Sequence, residues 1–95
     1  MLEKIIEQKL GIAVKSAGGR CLKFITPTLD GVPDRLVLMP QGRIAFVEVK
    51  QKGQKPRPLQ VLRMKQLTNL GFRCFVLDDI EQIPEIVKTL GGDAK

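Results

Sequence analysis

Leu2, Ile6, Leu10, Ala13, Val14 and Ala17 fall on one face of a 3.6-residue repeat, with Ile5 and Ile12 widening the stripe and Lys4, Gln8, Gly11 and Lys15 opposite it. This spacing predicts a helix over residues 2–17. Gly18-Gly19 supplies a left-handed cap. The period then drops to two, Leu22 and Phe24 alternating with Cys21, Lys23 and Ile25, which predicts a strand from Arg20 to Thr26. Residues 27–33 are rich in breakers and read as a loop. Two further strands, Asp34 to Met39 and Arg43 to Gln51, are joined by Pro40-Gln41-Gly42. Pro58 suits the first turn of a helix that runs to Leu70 and stops at Gly71. Its expected core face is Leu59, Leu62, Leu67 and Leu70, with Gln60 at one margin; Val61, Met64 and Thr68 lie on the far side, a patch that a partner subunit could cover. Phe72 to Leu77 is a fourth strand. Asp78 with Glu81, or Asp79 with Gln82, has capping-box spacing for a last segment through Leu90, which Pro84 divides into a short turn and a helix from Ile83. Gly91-Gly92 stops that helix and leaves Asp93-Ala94-Lys95 as a frayed tail.

The turn at 40–42 determines which residues meet. A three-residue loop built on a type I turn favours proline first and a left-handed glycine last, which is the order here. Met39 then pairs with Arg43, and counting back antiparallel sets Asp34 opposite Glu48 on one face, with Lys50 two residues on. Two like charges facing each other in an apolar hairpin are unfavourable unless something positive lies between them. A divalent cation would resolve the conflict; the alternative is that Asp34 caps a loop while Glu48 pairs with Lys50. The rest of the hairpin is apolar on both sides, Leu36, Leu38, Ile44 and Phe46 on one and Val37, Ala45, Val47 and Val49 on the other. Such a sheet needs helices above and below it, an α/β arrangement.

Length and composition narrow the chemistry. Ninety-five residues suit one domain, expected to span 1–95, and no run approaches the roughly 18 apolar residues of a membrane span. The N-terminus leads into an amphipathic pattern rather than a signal peptide, so a cytoplasmic protein is expected. Without histidine or tyrosine, histidine-based metal sites and phosphotyrosyl transfer drop out, and with Ser16 as the sole serine, at a helix end, a serine nucleophile is a poor candidate. Any chemistry falls to carboxylates and lysine. Cys21 and Cys74 lie within predicted strands without CxxC spacing and read as buried free thiols. The net charge is +6, and no acid occurs between Glu48 and Asp78, where Lys50, Lys52, Lys55, Arg57, Arg63, Lys65 and Arg73 lie. A basic block that begins beside the acidic pair favours phosphate contact. With no tryptophan or tyrosine, stacking platforms for a single-strand binder are scarce.

At Pro33-Asp34 and Glu48-Val49-Lys50 the chain resembles the PD-(D/E)XK nuclease superfamily. Within it, Gly31-Val32-Pro33-Asp34-Arg35-Leu36, Phe46-Val47-Glu48-Val49-Lys50 and Gln60 are similar to the stand-alone VRR-NUC domains of phages and bacteria. The resemblance covers nearly the whole chain. It implies a restriction-endonuclease-like αβββαβ core with a C-terminal helix and a central mixed four-stranded sheet flanked by helices. It further implies Mg²⁺ or Mn²⁺ held by Asp34, Glu48 and the Val49 carbonyl, with Lys50 acting on water or phosphate and Gln60 beside them. An acid from the first helix completes the site, and Glu7, nearer the end of the stripe facing the sheet, is chosen over Glu3. Lys52, Lys55, Arg57, Arg63, Arg35 and Lys23 are the expected DNA contacts. The implied activity is structure-specific cleavage of branched DNA, four-way junctions included, by a homodimer. Other readings are a basic DNA-binding module without catalysis and a less selective phage nuclease or nickase.

Overall fold

Helix α1 (Glu3–Ser16) buries Ile6, Leu10 and Val14, one residue from each successive turn, against the sheet. This is the amphipathic stripe expected from the apolar spacing, but narrower. Ile5 and Ile12 are exposed, and Ile12 borders an open groove between the first and last helices, lined also by Ile80, Ile83 and Pro84. The computed structural model describes residues 1–91; the expectations for Gly92 and for the Asp93-Ala94-Lys95 tail lie outside them.

Strands β1 (Arg20–Lys23), β2 (Arg35–Met39), β3 (Arg43–Val49) and β4 (Arg73–Leu77) form one sheet in the order β1-β2-β3-β4. The first three strands are antiparallel, and β4 joins β3 in parallel after a crossover through α2 (Pro58–Asn69). A 3-10 turn at Ile80–Gln82 leads into α3 (Ile83–Thr89), with Pro84 in its first turn. Of the two capping boxes allowed by the spacing, the one used is Asp79 with Gln82. The first strand ends before the expected Thr26. Its regular pairing stops at Lys23, although Phe24 N–H still reaches the Asp34 carbonyl at 2.9 Å. The third strand likewise stops at Val49, and Lys50 N–H closes the ladder on the Leu77 carbonyl at 2.8 Å.

The two faces of the sheet differ. Odd positions of β2 and β3 (Val37, Met39, Ala45, Val47, Val49) pack with Leu77 under α1 and α3, in a core that also takes Ile83, Ile86 and Leu90. Even positions face α2: Phe46 is buried, while Leu36, Leu38 and Ile44 are half-buried beside a cluster in which the Phe46 ring touches those of Phe24 and Phe72. The thicker cover is on the α1/α3 side.

Helix α2 corrects the sequence expectation. Leu59, Leu62 and Leu70 were expected to face the core and are exposed, Leu62 by 47% and Leu70 by 73%. The side turned to the sheet carries Gln60, Arg63, Met64 and Leu67, of which only Gln60 is buried and the others are half-buried. Met64, assigned to the outer patch, is thus turned inward, whereas Val61 and Thr68 are exposed. Polar anchors set the helix rotation: Gln60 bonds Glu48, and Arg63 Nε bonds the Asp30 carbonyl at 2.7 Å. These bonds fix a face that the leucine spacing cannot identify.

The hairpin turn has the expected register, Met39 opposite Arg43, through a different backbone. Gln41 takes φ 69° and ψ 25°, and Gly42 follows at φ 74°, so two consecutive residues are left-handed and one has a Cβ. A side chain costs about 1–2 kcal/mol in that conformation, against about 0.5–1 kcal/mol of extra chain entropy that glycine loses on folding. Gln41→Gly is therefore expected to stabilise the protein by about 0.5–1 kcal/mol, seen as a higher urea midpoint at unchanged m-value.

Candidate active site

The site lies where β2 begins and β3 ends. Asp34 immediately precedes β2, and its Oδ1 accepts a hydrogen bond from Val49 N–H at 3.1 Å, which ties the two strand ends together. The register that sets Arg35 opposite Val47 sets Asp34 beside Glu48, as the turn predicted. Gly31 holds the preceding loop close to α2: its φ is 84°, and a Cβ there would lie 2.7 Å from Leu59 Cγ. Only glycine permits both that backbone and that approach, so the start of α2 is placed relative to Asp34.

Glu48 is 4% exposed inside an apolar strand. Its Oε2 accepts from Gln60 Nε2 at 3.0 Å and pairs with Lys50 Nζ at 3.3 Å. Its Oε1 is buried with no hydrogen-bond partner among the described residues. Burial first, and then the Asp34 charge, hold the Glu48 carboxyl above the ordinary carboxylate range, with Lys50 pulling the other way. Gln60, itself 7% exposed, is oriented in turn by accepting Arg57 N–H on Oε1 at 2.8 Å. Gln60, expected beside the other site residues, is here the support that fixes which Glu48 oxygen is engaged.

Helix α1 brings acids to the same strand end. Glu3 and Glu7, one turn apart, each place a carboxylate oxygen with one from Asp34 so that all three lie within 4.8 Å of one another. Glu7 was expected here. Glu3 was set aside, although its i, i+4 spacing to Glu7 carried the signal. Arg35, expected to contact DNA, instead lies among these acids, Nη2 2.5 Å from Glu7 Oε1 and Nη1 2.8 Å from the Asp34 carbonyl. Asp34, at the strand terminus, is thus reached from both faces: by Glu3 and Glu7 on the α1 side, and by the Glu48 charge on the α2 side.

The donor set suits a hard cation. It offers the converging carboxylate oxygens of Glu3, Glu7 and Asp34; Glu48 is not one of that group and adjoins it through Asp34, with one oxygen buried and unpartnered among the described residues. Four carboxylates face the two cations Arg35 and Lys50, which leaves a local excess of negative charge in an otherwise basic chain.

The other basic residues divide by their partners. Lys55 and Arg57 are exposed on the loop after β3, and Lys23 is exposed on the edge strand opposite Arg35. Lys52 is paired with Asp79, and Gly53 N–H reaches Asp78 Oδ2 at 3.3 Å, so the loop is pinned to the turn after β4. Arg63 is engaged by Asp30 and by Gln66. Cys21 and Cys74 are free and half-buried rather than fully buried, and burial raises both thiols above their ordinary values.

An antiparallel hairpin bearing Asp34 and Glu48-Val49-Lys50 at one end, with acids from the first helix and a parallel fourth strand, defines a nuclease fold of the PD-(D/E)XK type. No family model matches the chain. A solved structure described as a VRR_NUC domain has a TM-score of 0.85 with it at 27% identity, covering 93% of this chain and 97% of that one. The protein named "Putative nuclease p44" of Acyrthosiphon pisum secondary endosymbiont phage 1 is 46% identical over 76 residues, 80% of this chain and 82% of its own length. The chain belongs to the VRR-NUC family of nucleases.

The raised Glu48 value has a definite sign in stability. A carboxyl that holds its proton more tightly folded than unfolded contributes most at pH below its unfolded value, and that contribution is lost as pH rises through its folded value. In EDTA, the stability of the protein minus that of Glu48→Gln should therefore fall as pH rises from the ordinary glutamate value upward. Urea unfolding of both proteins across this range checks it; a difference that grows with pH refutes the assignment.

Proposed function

We propose that the protein is a divalent-metal-dependent endodeoxyribonuclease that hydrolyses phosphodiester bonds in branched DNA, four-way junctions included, as a homodimer. The observation that carries this reading is the buried, unpartnered Glu48 Oε1 beside Asp34. A lone orphaned carboxylate oxygen in an apolar strand is costly, and a cation is the partner that removes the cost. Asp34, Glu48 and Glu7 would hold Mg²⁺ or Mn²⁺, with the Val49 carbonyl and Glu3 beside them. Such an ion, when bound, neutralises phosphate charge and makes a water molecule more acidic.

The remaining work falls to side chains of the chain itself. Gln60 and Lys50 both engage Glu48 Oε2, which leaves Oε1 without a hydrogen-bond partner among the described residues. Lys50 spends one contact on Glu48 and keeps N–H donors for the non-bridging phosphate oxygens, whose charge grows as a fifth oxygen approaches phosphorus. Lys55, Arg57 and Lys23 are exposed and hold the DNA backbone by charge. Lys52, tied to Asp79, holds the loop in place and contributes its exposed ammonium secondarily.

Paired cutting of a junction needs two sites at fixed separation and therefore a two-fold dimer. The exposed Val61 and Leu62, adjacent on α2, are apolar side chains that support such an assembly. Met64 is removed from that surface by its half-buried position.

A synthetic four-way junction, a flap and a linear duplex, each incubated with Mn²⁺, Mg²⁺ or EDTA, test the reading. Cleavage is expected on the junction, absent in EDTA, and reduced about a hundred-fold or more by Glu48→Ala and by Lys50→Ala. Equal cutting by Glu48→Ala refutes the site, while metal-independent DNA binding with no cutting marks a binding module. Sedimentation at micromolar concentration should show a dimer; a monomer removes the basis for paired cutting.

A further inference from the structure

Arg35 is the one basic residue of the expected DNA-contact set that the fold turns into the acidic cluster. Side chains alternate along β2, so Arg35 shares the α1 face with Val37 and Met39, and α1 supplies Glu7 directly in its path. Its side chain is 13% exposed, with Nη2 2.5 Å from Glu7 Oε1, Nη1 2.8 Å from the Asp34 carbonyl and 3.9 Å from Asp34 Oδ2. The guanidinium therefore touches two of the three acids whose oxygens converge within 4.8 Å.

We propose that Arg35 is an internal counter-cation of this site: its guanidinium occupies Glu7 while no divalent ion is bound, leaves when an ion takes that carboxylate, and then turns to a DNA phosphate. The proposal rests on the metal-dependent reading above. Three physical points support it. A guanidinium at hydrogen-bond distance from Glu7 Oε1 and a divalent ion on the same carboxylate repel each other strongly where water is scarce. The contact with Glu7 is through a single nitrogen and not the two-pronged carboxylate fork that makes arginine pairs hard to open. Finally, Arg35 is opposite exposed Lys23 in the β1–β2 register, so a side chain released from Glu7 turns out beside another cation suited to the phosphate backbone. Ion binding and DNA binding become mutually reinforcing, since each favours the outward arginine.

Calorimetric titration with Mn²⁺, without DNA, separates the possibilities. Arg35→Gln is expected to bind Mn²⁺ about ten-fold more tightly than the unmodified protein, because no internal cation must be expelled. Lys23→Gln, which removes an equal but exposed charge from the neighbouring strand, should change the affinity less than about two-fold. If the unmodified protein binds Mn²⁺ and Arg35→Gln binds it no more tightly, or if Lys23→Gln gains as much, the role of Arg35 is overturned and the metal reading stands. If none of the three binds Mn²⁺, the metal reading itself fails. A measurement on the unmodified chain does not depend on a variant folding: the Arg35 side-chain Nε resonance should shift saturably during a Mg²⁺ titration, and an unmoved resonance at saturation overturns the proposal. For the phosphate step, Ca²⁺ should tighten binding of a fluorescent DNA duplex more in the unmodified protein than in Arg35→Gln; an equal gain rules that step out.

Discussion

A carboxylate in the middle of an apolar strand has to be answered by something, and in this fold the answer comes from three directions. Glu48 receives Gln60 from the following helix, Lys50 from just past the end of its own strand, and the approach of Asp34 from just before the neighbouring strand. The first two are favourable and the third is not. One oxygen remains buried without a partner among the described residues. The packing around this group sets an acidic charge that Lys50 and Gln60 only partly answer next to a second acid, Asp34, an arrangement that costs stability unless a further cation shares it.

That constraint organises the elements around it. The Asp34 bond to Val49 N–H closes the strand ends, so the acid that opens β2 cannot drift away from the acid in β3. The Gln60 bond turns α2 about its axis until a polar side chain faces the sheet and leucines face outward. Burying a leucine stripe would have gained more apolar area. The observed rotation exchanges part of that gain for a hydrogen bond to a charged group and a fixed carboxylate geometry. The thick core under α1 and α3, where Val37, Ala45 and Val47 are fully buried, carries the stability that the thinner α2 side gives up.

The charge pattern follows the same division of labour. The protein is basic as a whole, yet three of its acids, Glu3, Glu7 and Asp34, converge at one strand end, and two of its cations are held by acids there, Arg35 by Glu7 and Lys50 by the adjoining Glu48. Other basic groups hold the structure rather than face a ligand, as when Lys52 pins the loop after β3 to Asp79. A basic block in the sequence is thus a mixture of structural and free cations, and only their partners tell them apart.

Much of this was legible in the chain itself. Period-two and period-3.6 apolar spacing, with Gly and Pro between the segments, marks each helix and strand, and the Pro-Gln-Gly bend with its fixed loop length dictates that Asp34 meets Glu48. These are local properties: a few consecutive residues and the geometry of one turn suffice. What the tertiary structure alone decided is the facing of α2, the inward course of Arg35, the burial of Gln60 and the entry of Glu3 beside Glu7. Each depends on which polar groups happen to lie opposite one another once separate elements have packed. A helical stripe of leucines looks the same whether it meets a sheet or stands free, and a lysine or arginine carries the same charge whether it meets a phosphate or a neighbouring acid. Only the assembled fold removes that degeneracy, because only there do the competing hydrogen bonds exist.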